Sequence, residues 1–252
     1  PADITPGSAL VSILIAIFFG VILFLVLMRY KVEIILRVWF FVVVGLALAI
    51  TINSLLLKVP YSSLISFIIA LPLAFFKIFK RNILVHNITE LGIYPGIAAI
   101  FVPILNIWSV VLLLILISIY DIYAVWHAGF MQKMAHYQIS KVKAFAGFFV
   151  PYLNKKQKQM IKEAQKSNSK KLKQKKIKIT FAILGGGDVL FPIILAGVVL
   201  FTLGLIQAII ISLGATLALA TLFFFSQKGK FYPAMPFISA GCFVALAGAY
   251  LI

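Results

Sequence analysis

The chain has 252 residues, of which 63% are hydrophobic and only 12% charged, yet its formal net charge is +17. That charged share is about half of what a soluble domain carries. With a mean hydropathy of +1.12, it excludes a water-solvated globular fold and points to lipid as the solvent. In lipid the backbone must bond to itself, which leaves helices or closed barrels. The apolar runs here are long and continuous rather than alternating, and this selects helices.

A bilayer core about 30 Å thick needs about 20 apolar residues in a helix. Eight such segments follow in chain order, over 8–28, 38–57, 61–79, 83–105, 107–127, 178–199, 203–226 and 233–252. The fold class expected is an all-α, polytopic transmembrane helical bundle. The fourth segment is interrupted by Asn87, Glu90, Pro95 and Pro103. The chain divides into N-terminal spans over 1–127, a Lys-rich loop over 128–177, expected to be partly mobile, and C-terminal spans over 178–252. It begins Pro1-Ala2-Asp3 without an initiator Met, which reads as a processed or trimmed N-terminus, and no cleavable signal peptide is apparent. The single cysteine, Cys242, lies in an apolar run and reads as a small packing residue.

The basic residues orient the spans. Arg29, Lys31 and Arg37 follow span one, and Lys77, Lys80 and Arg81 close span three. Fourteen lysines lie between Lys133 and Lys178, and Lys228 and Lys230 follow span seven. If the spans alternate, 22 of the 23 basic residues fall on one side, and only Lys58 falls on the other. The Lys-rich side is therefore expected to be cytoplasmic, with both ends of the chain outside. The run from Lys155 to Lys178 has no interleaved aromatics for base stacking. It reads as a solvated loop touching anionic head groups rather than a nucleic-acid site.

Of six acidic residues, Asp3, Glu33 and Glu163 lie outside the spans, whereas Glu90, Asp121 and Asp188 lie within apolar segments. A charge near the bilayer centre costs a few kcal/mol or more, so such acids are functional candidates by default. Span five enters from outside and holds Asp121 about six residues from its cytoplasmic end; span six returns and holds Asp188 about ten residues in. At 1.5 Å per residue these depths are roughly 9 and 15 Å, close enough for two antiparallel neighbours to share one site. Two carboxylates in one site repel, so one keeps its proton while the other ionises. That is the state an aspartyl protease needs, but paired acids also serve ion relays in transporters.

The neighbouring residues narrow the choice. Asp121 follows Tyr120, and Tyr120 is placed to hydrogen-bond within the site. Asp188 follows Gly185, Gly186 and Gly187, three residues that weaken a helix and admit close approach of another chain. Pro233-Ala234-Met235-Pro236 opens the last span, where prolines leave nearby carbonyls free. None of His86, His127 and His136 has metal-ligand spacing, so no metal is expected, and they read as interfacial or packing residues. Glu90 is expected to face a polar cavity or to snorkel.

Tyr-Asp in one span, Gly-x-Gly-Asp in the next and a Pro-Ala-Leu-like turn opening the last resemble the presenilin and signal peptide peptidase family. The order of the motifs and the long hydrophilic loop between the Asp spans match as well. The resemblance covers essentially the whole chain, with Met235 standing where the family has Leu. It implies hydrolysis of transmembrane peptide or protein substrates inside the bilayer, with no organic cofactor and no metal. It also implies Asp121 and Asp188 as the catalytic pair. Gly185 and Gly187 would shape the catalytic loop, with Gly186 between them. Pro233, Ala234, Met235 and Pro236 would shape the active site and offer backbone to an extended substrate. The family has nine spans against eight here, so its first span is expected to be missing from this chain. A cytoplasmic loop between the Asp spans makes the topology presenilin-like, and the small extramembrane share resembles a microbial homologue in the cell membrane. Accessory subunits are a property of some presenilin assemblies that nothing in these residues indicates. The rival readings are a prepilin or preflagellin-type Gly-x-Gly-Asp peptidase and an ion-coupled transporter.

Overall fold

In the computed structural model, residues 5–30, 32–80, 82–128, 133–134, 137–142, 145–152, 180–225 and 232–251 are described. Eight α-helices are found among them: α1 (Pro6–Arg29), α2 (Glu33–Leu55), α3 (Ser62–Phe79), α4 (Ile83–Phe101), α5 (Ile107–Ile122), α6 (Gly186–Thr202), α7 (Leu205–Phe225) and α8 (Met235–Ala249). Six segments are long and apolar enough to cross a membrane, whereas α6 and α8 are shorter. The expected all-α bundle is therefore what the chain forms.

Local chemistry explains several boundaries. Thr5, Asn82 and Asn106 cap α1, α4 and α5 by accepting the N–H of Ser8, Leu84 and Ser109. Pro103 ends α4 in a short 3-10 turn, Val102–Ile104. Past Ile122 the chain continues as a π-helical stretch, Tyr123–Ala128.

The main departure from the expected spans lies before α6. Residues 180–185 are not helical, as a span over 178–199 would require; they form a strand, β2 (Thr180–Gly185), paired antiparallel with β1 (Gly147–Tyr152). Both strands carry β-branched and aromatic residues, which favour extended backbone, and the glycine run ends the strand. β1 falls inside the segment read from sequence as a Lys-rich loop. The run Lys155–Lys178 itself lies outside the described residues.

Two apolar clusters hold the bundle. One joins α5, α6, α7 and α8 through Leu113, Leu114, Leu195, Val199, Ile211 and Ile238. The other joins α2, α3 and α4 through Val44, Leu48, Ala70, Ala74 and Ile93. Where two helices come closest the residues are small. A Cβ on Gly214 of α7 would lie 2.7 Å from the Gly241 carbonyl of α8, and the reverse holds for Gly241. Ala218 and Ala245 stand one turn further along, so both helices present small residues four apart, the pattern that lets spanning helices touch by backbone.

Tertiary contacts agree with alternating spans. Ser109 Oγ, at the start of α5, donates to the Pro6 carbonyl at the start of α1. Arg37, near the start of α2, donates to the carbonyls of Val142 and Lys141 beyond α5. Each contact joins ends that the alternation assigns to one side.

Candidate active site

Asp121 lies in the last turn of α5 and is buried, with 6% exposure. Its Oδ2 accepts the Met235 N–H at 3.1 Å. This contact is local chemistry at a helix start. The first N–H groups of α8 have no partner within their own helix, and they point toward a negative charge. Pro233, Ala234 and Met235 are all buried, while Pro236 follows in the first turn, where its missing N–H costs nothing. The Tyr-Asp and Pro-Ala-Met-Pro elements thus meet in one place. One turn away, Ser118 Oγ of α5 donates to Ser239 Oγ of α8 at 2.9 Å, a second tie between the same helices that the sequence did not signal. Tyr120 is half-buried beside Asp121.

Asp188 sits where strand turns into helix. Gly185 is the N-cap of α6, so Gly186, Gly187 and Asp188 are its first three residues. The expectation of a carboxylate some ten residues inside a helix is corrected: Asp188 is in the first helical turn. The Asp188 carboxylate reaches back to the Gly185 N–H, the return half of a capping box. A Cβ on Gly185 would meet Asp188 Oδ2 at 3.0 Å, so glycine there leaves room for the carboxylate. Asp121, with Tyr120 beside it, thus meets the Pro233–Pro236 turn, and Asp188 follows the three glycines at the start of α6, a helix that packs against both α5 and α8.

A cleft of about 550 Å³ opens from Asp188 between α6 and α7, lined by Val189, Ile193, Leu205, Ile209 and Ile238 among others. Its apolar walls suit hydrocarbon side chains.

On the other flank of the site lies a polar stripe of α4. Glu90 is 1% exposed and pairs with Lys77 of α3. Burial rules out the expected snorkelling, and the ion pair gives its charge a partner. His86, Asn87 and Glu90 all bond to the backbone of β1. Tyr94, one turn beyond Glu90, packs its ring against that of Phe148 of β1, 5.6 Å between centroids and tilted by 53°. Its hydroxyl is where a Cβ on Gly186 would fall, at 2.8 Å. In the sequence Glu90 and His86 stand as single polar residues in an apolar segment. The usable signal was their spacing, since 86, 87, 90 and 94 share one face of a helix. Among the described residues no group of three or more His, Cys, Asp or Glu is placed to hold a metal.

The sequence model of the family described as signal-peptide peptidase, presenilin aspartyl protease matches residues 3–252 of this chain. No curated protein matches the chain. No solved structure does either. The match runs through both aspartates, the glycine run and the proline turn. The chain belongs to the signal-peptide peptidase and presenilin family of aspartyl proteases.

Proposed function

We propose that this protein is an intramembrane aspartyl endopeptidase in which Asp121 and Asp188 form the catalytic pair and cut membrane-spanning substrates. The observation that carries the reading is the bond from the Met235 N–H to Asp121, which ties the Tyr-Asp span to the proline turn while Asp188 stands at a helix start nearby. Family membership favours this chemistry over an ion-coupled transporter.

The reaction follows from two carboxyl groups sharing one proton. The ionised carboxylate takes a proton from water as the water oxygen bonds to the scissile carbonyl carbon. The protonated carboxyl gives its proton to the carbonyl oxygen, which yields a gem-diol. The C–N bond then breaks, the amine leaves with a proton from the pair, and one diol proton returns to restore it. Titration belongs to the pair, so neither aspartate alone is the base. A helical substrate hides its carbonyls, so it must unwind at the cut; a strand added to the sheet edge beside Asp188 would hold it open. The cleft between α6 and α7 would take its apolar side chains. The basic-residue asymmetry supports a pair in the cytoplasmic half of a cell membrane, and the small extramembrane share favours a microbial one.

The test is reconstitution in liposomes with a single-span reporter. Asp121→Ala and Asp188→Ala are each expected to lower cleavage at least about a hundredfold, with a hydroxyl-bearing transition-state mimic inhibiting the parent protein. Cleavage that persists in both variants would overturn the reading.

A further inference from the structure

A two-stranded sheet has two outer edges, each with unpaired N–H and C=O groups. Here one edge is closed by side chains. In β1 the backbone of Phe149 is bonded twice by Asn87: its N–H donates to Asn87 Oδ1 at 3.1 Å, and its C=O accepts from Asn87 Nδ2 at 2.9 Å. A carboxamide has the donor and acceptor of a peptide group, so Asn87 does what one residue of a neighbouring antiparallel strand would do. The reverse amide orientation would set NH2 against N–H, so the network itself assigns the side chain. Two positions earlier, the Gly147 N–H donates to Glu90 Oε1 at 3.2 Å. The Gly147 carbonyl lies 2.8 Å from His86 Nε2. Glu90 Oε1 is in turn held by Lys77, which α3 buries.

Residues 147 and 149 therefore turn their backbone groups toward α4. By strand alternation, 148 and 150 turn theirs toward Leu184 and Ala182 of β2. The Gly186 N–H then donates to the Ala146 carbonyl at 3.2 Å, which continues the same register into the first residue of α6. An unbroken chain of contacts thus runs from Lys77 through Glu90 and β1 to the helix turn that holds Asp188. Among the described residues the edge left open belongs to β2. Phe181 and Ile183 turn their backbone groups outward there, and the Ile183 side chain is 42% exposed.

We infer that His86, Asn87 and Glu90, backed by Lys77, are positioning residues: they close the outer edge of β1 and, through its pairing with β2, hold the turn that carries Asp188 in place, and so select which substrate bond is cut. The geometry stands by itself, whereas the effect on cutting rests on the proteolysis proposed above. A substrate strand paired on β2 places alternate residues on one face, so a slip of two residues keeps its face and moves the cut by two. Loosening the clamp should let such slips occur.

The experiment uses the full chain in liposomes with a single-span reporter, and mass spectrometry assigns every cut. Asn87→Ala removes both bonds to Phe149; Asn87→Asp keeps the acceptor alone; Glu90→Gln keeps the shape without the charge. Hydrogen exchange is followed on peptides covering 145–152. In Asn87→Ala the share of product cut two residues from the main position should rise at least threefold, with Asn87→Asp in between. Exchange in 145–152 should quicken about fivefold, the loss of roughly one hydrogen bond. A merely structural role would lower all products in proportion, so unchanged product ratios in Asn87→Ala, Asn87→Asp and Glu90→Gln would overturn the inference. If the parent protein shows no aspartate-dependent cutting, the proteolysis reading fails by itself. Exchange then decides the clamp, and unaltered exchange in all three variants would overturn it.

Discussion

Each of the three glycines before Asp188 has a different neighbour. A Cβ on Gly185 would crowd the Asp188 carboxylate at 3.0 Å, and one on Gly186 would strike Tyr94 Oη at 2.8 Å. A Cβ on Gly187 would meet nothing nearer than the Phe191 ring at 3.5 Å, ordinary contact. Gly186→Ala should therefore cost about 1–3 kcal/mol through overpacking against a buried ring, whereas Gly187→Ala should stay within about 1 kcal/mol of the parent. Denaturant titration in mixed micelles checks both, and equal losses would refute the contrast. Gly147 is constrained in another way, because its φ of +145° suits only glycine and a Cβ there would overlap the Leu184 carbonyl. The Met at position 235, where the family pattern has Leu, is explained at this scale too. Asp121 uses the backbone N–H of Met235, which either side chain would leave in place.

At the scale of elements, the short helices matter most. α6 starts late because its first residues are spent on a strand, and that brings its N-terminal turn, with the partial positive charge of the helix dipole, to Asp188. α8 does the same for Asp121. Both carboxylates are thus served by helix starts. α8 is held in place by α7 through the Gly214–Gly241 contact. Gly241→Leu should part these helices and cost about 2–3 kcal/mol, while Gly20→Leu on α1, where a Cβ meets nothing within 4 Å, should be close to neutral. Comparing their unfolding midpoints in micelles tests this, and a Gly241→Leu protein as stable as Gly20→Leu would count against the close packing. The sequence displayed the small residues but not their partner helix, since four-residue spacing names a face and not what lies against it.

For the whole molecule, charge asymmetry and tertiary contacts describe the same alternation of spans. Trp108 and Trp126 stand exposed towards the two ends of span five, roughly 27 Å apart along a helix, where amphipathic rings favour the two membrane interfaces. With Cys242→Ser as background, Lys155→Cys should react with an impermeant maleimide only from the cytoplasmic side, and Lys58→Cys only from outside. The opposite pattern would invert the topology. The multi-pass helical architecture and the two aspartates were legible in the sequence, because hydropathy depends on composition along the chain and a charge in lipid is conspicuous wherever it sits. The motif resemblance added the family. Hydropathy does not separate an apolar strand from an apolar helix, so β2 was read as the start of a span and β1 was lost among lysines. The Lys77–Glu90 pair and the edge held by Asn87 were invisible for a related reason: each joins residues from different elements, and the spacing within one helix says nothing about its neighbour. By itself the sequence determined the solvent of this protein, its multi-pass helical character and its pair of misplaced acids. Only the tertiary structure decided that a strand leads into Asp188, that a helix start meets Asp121, and that α4 closes one edge of the sheet, because backbone groups in lipid must find partners and only the packed chain supplies them.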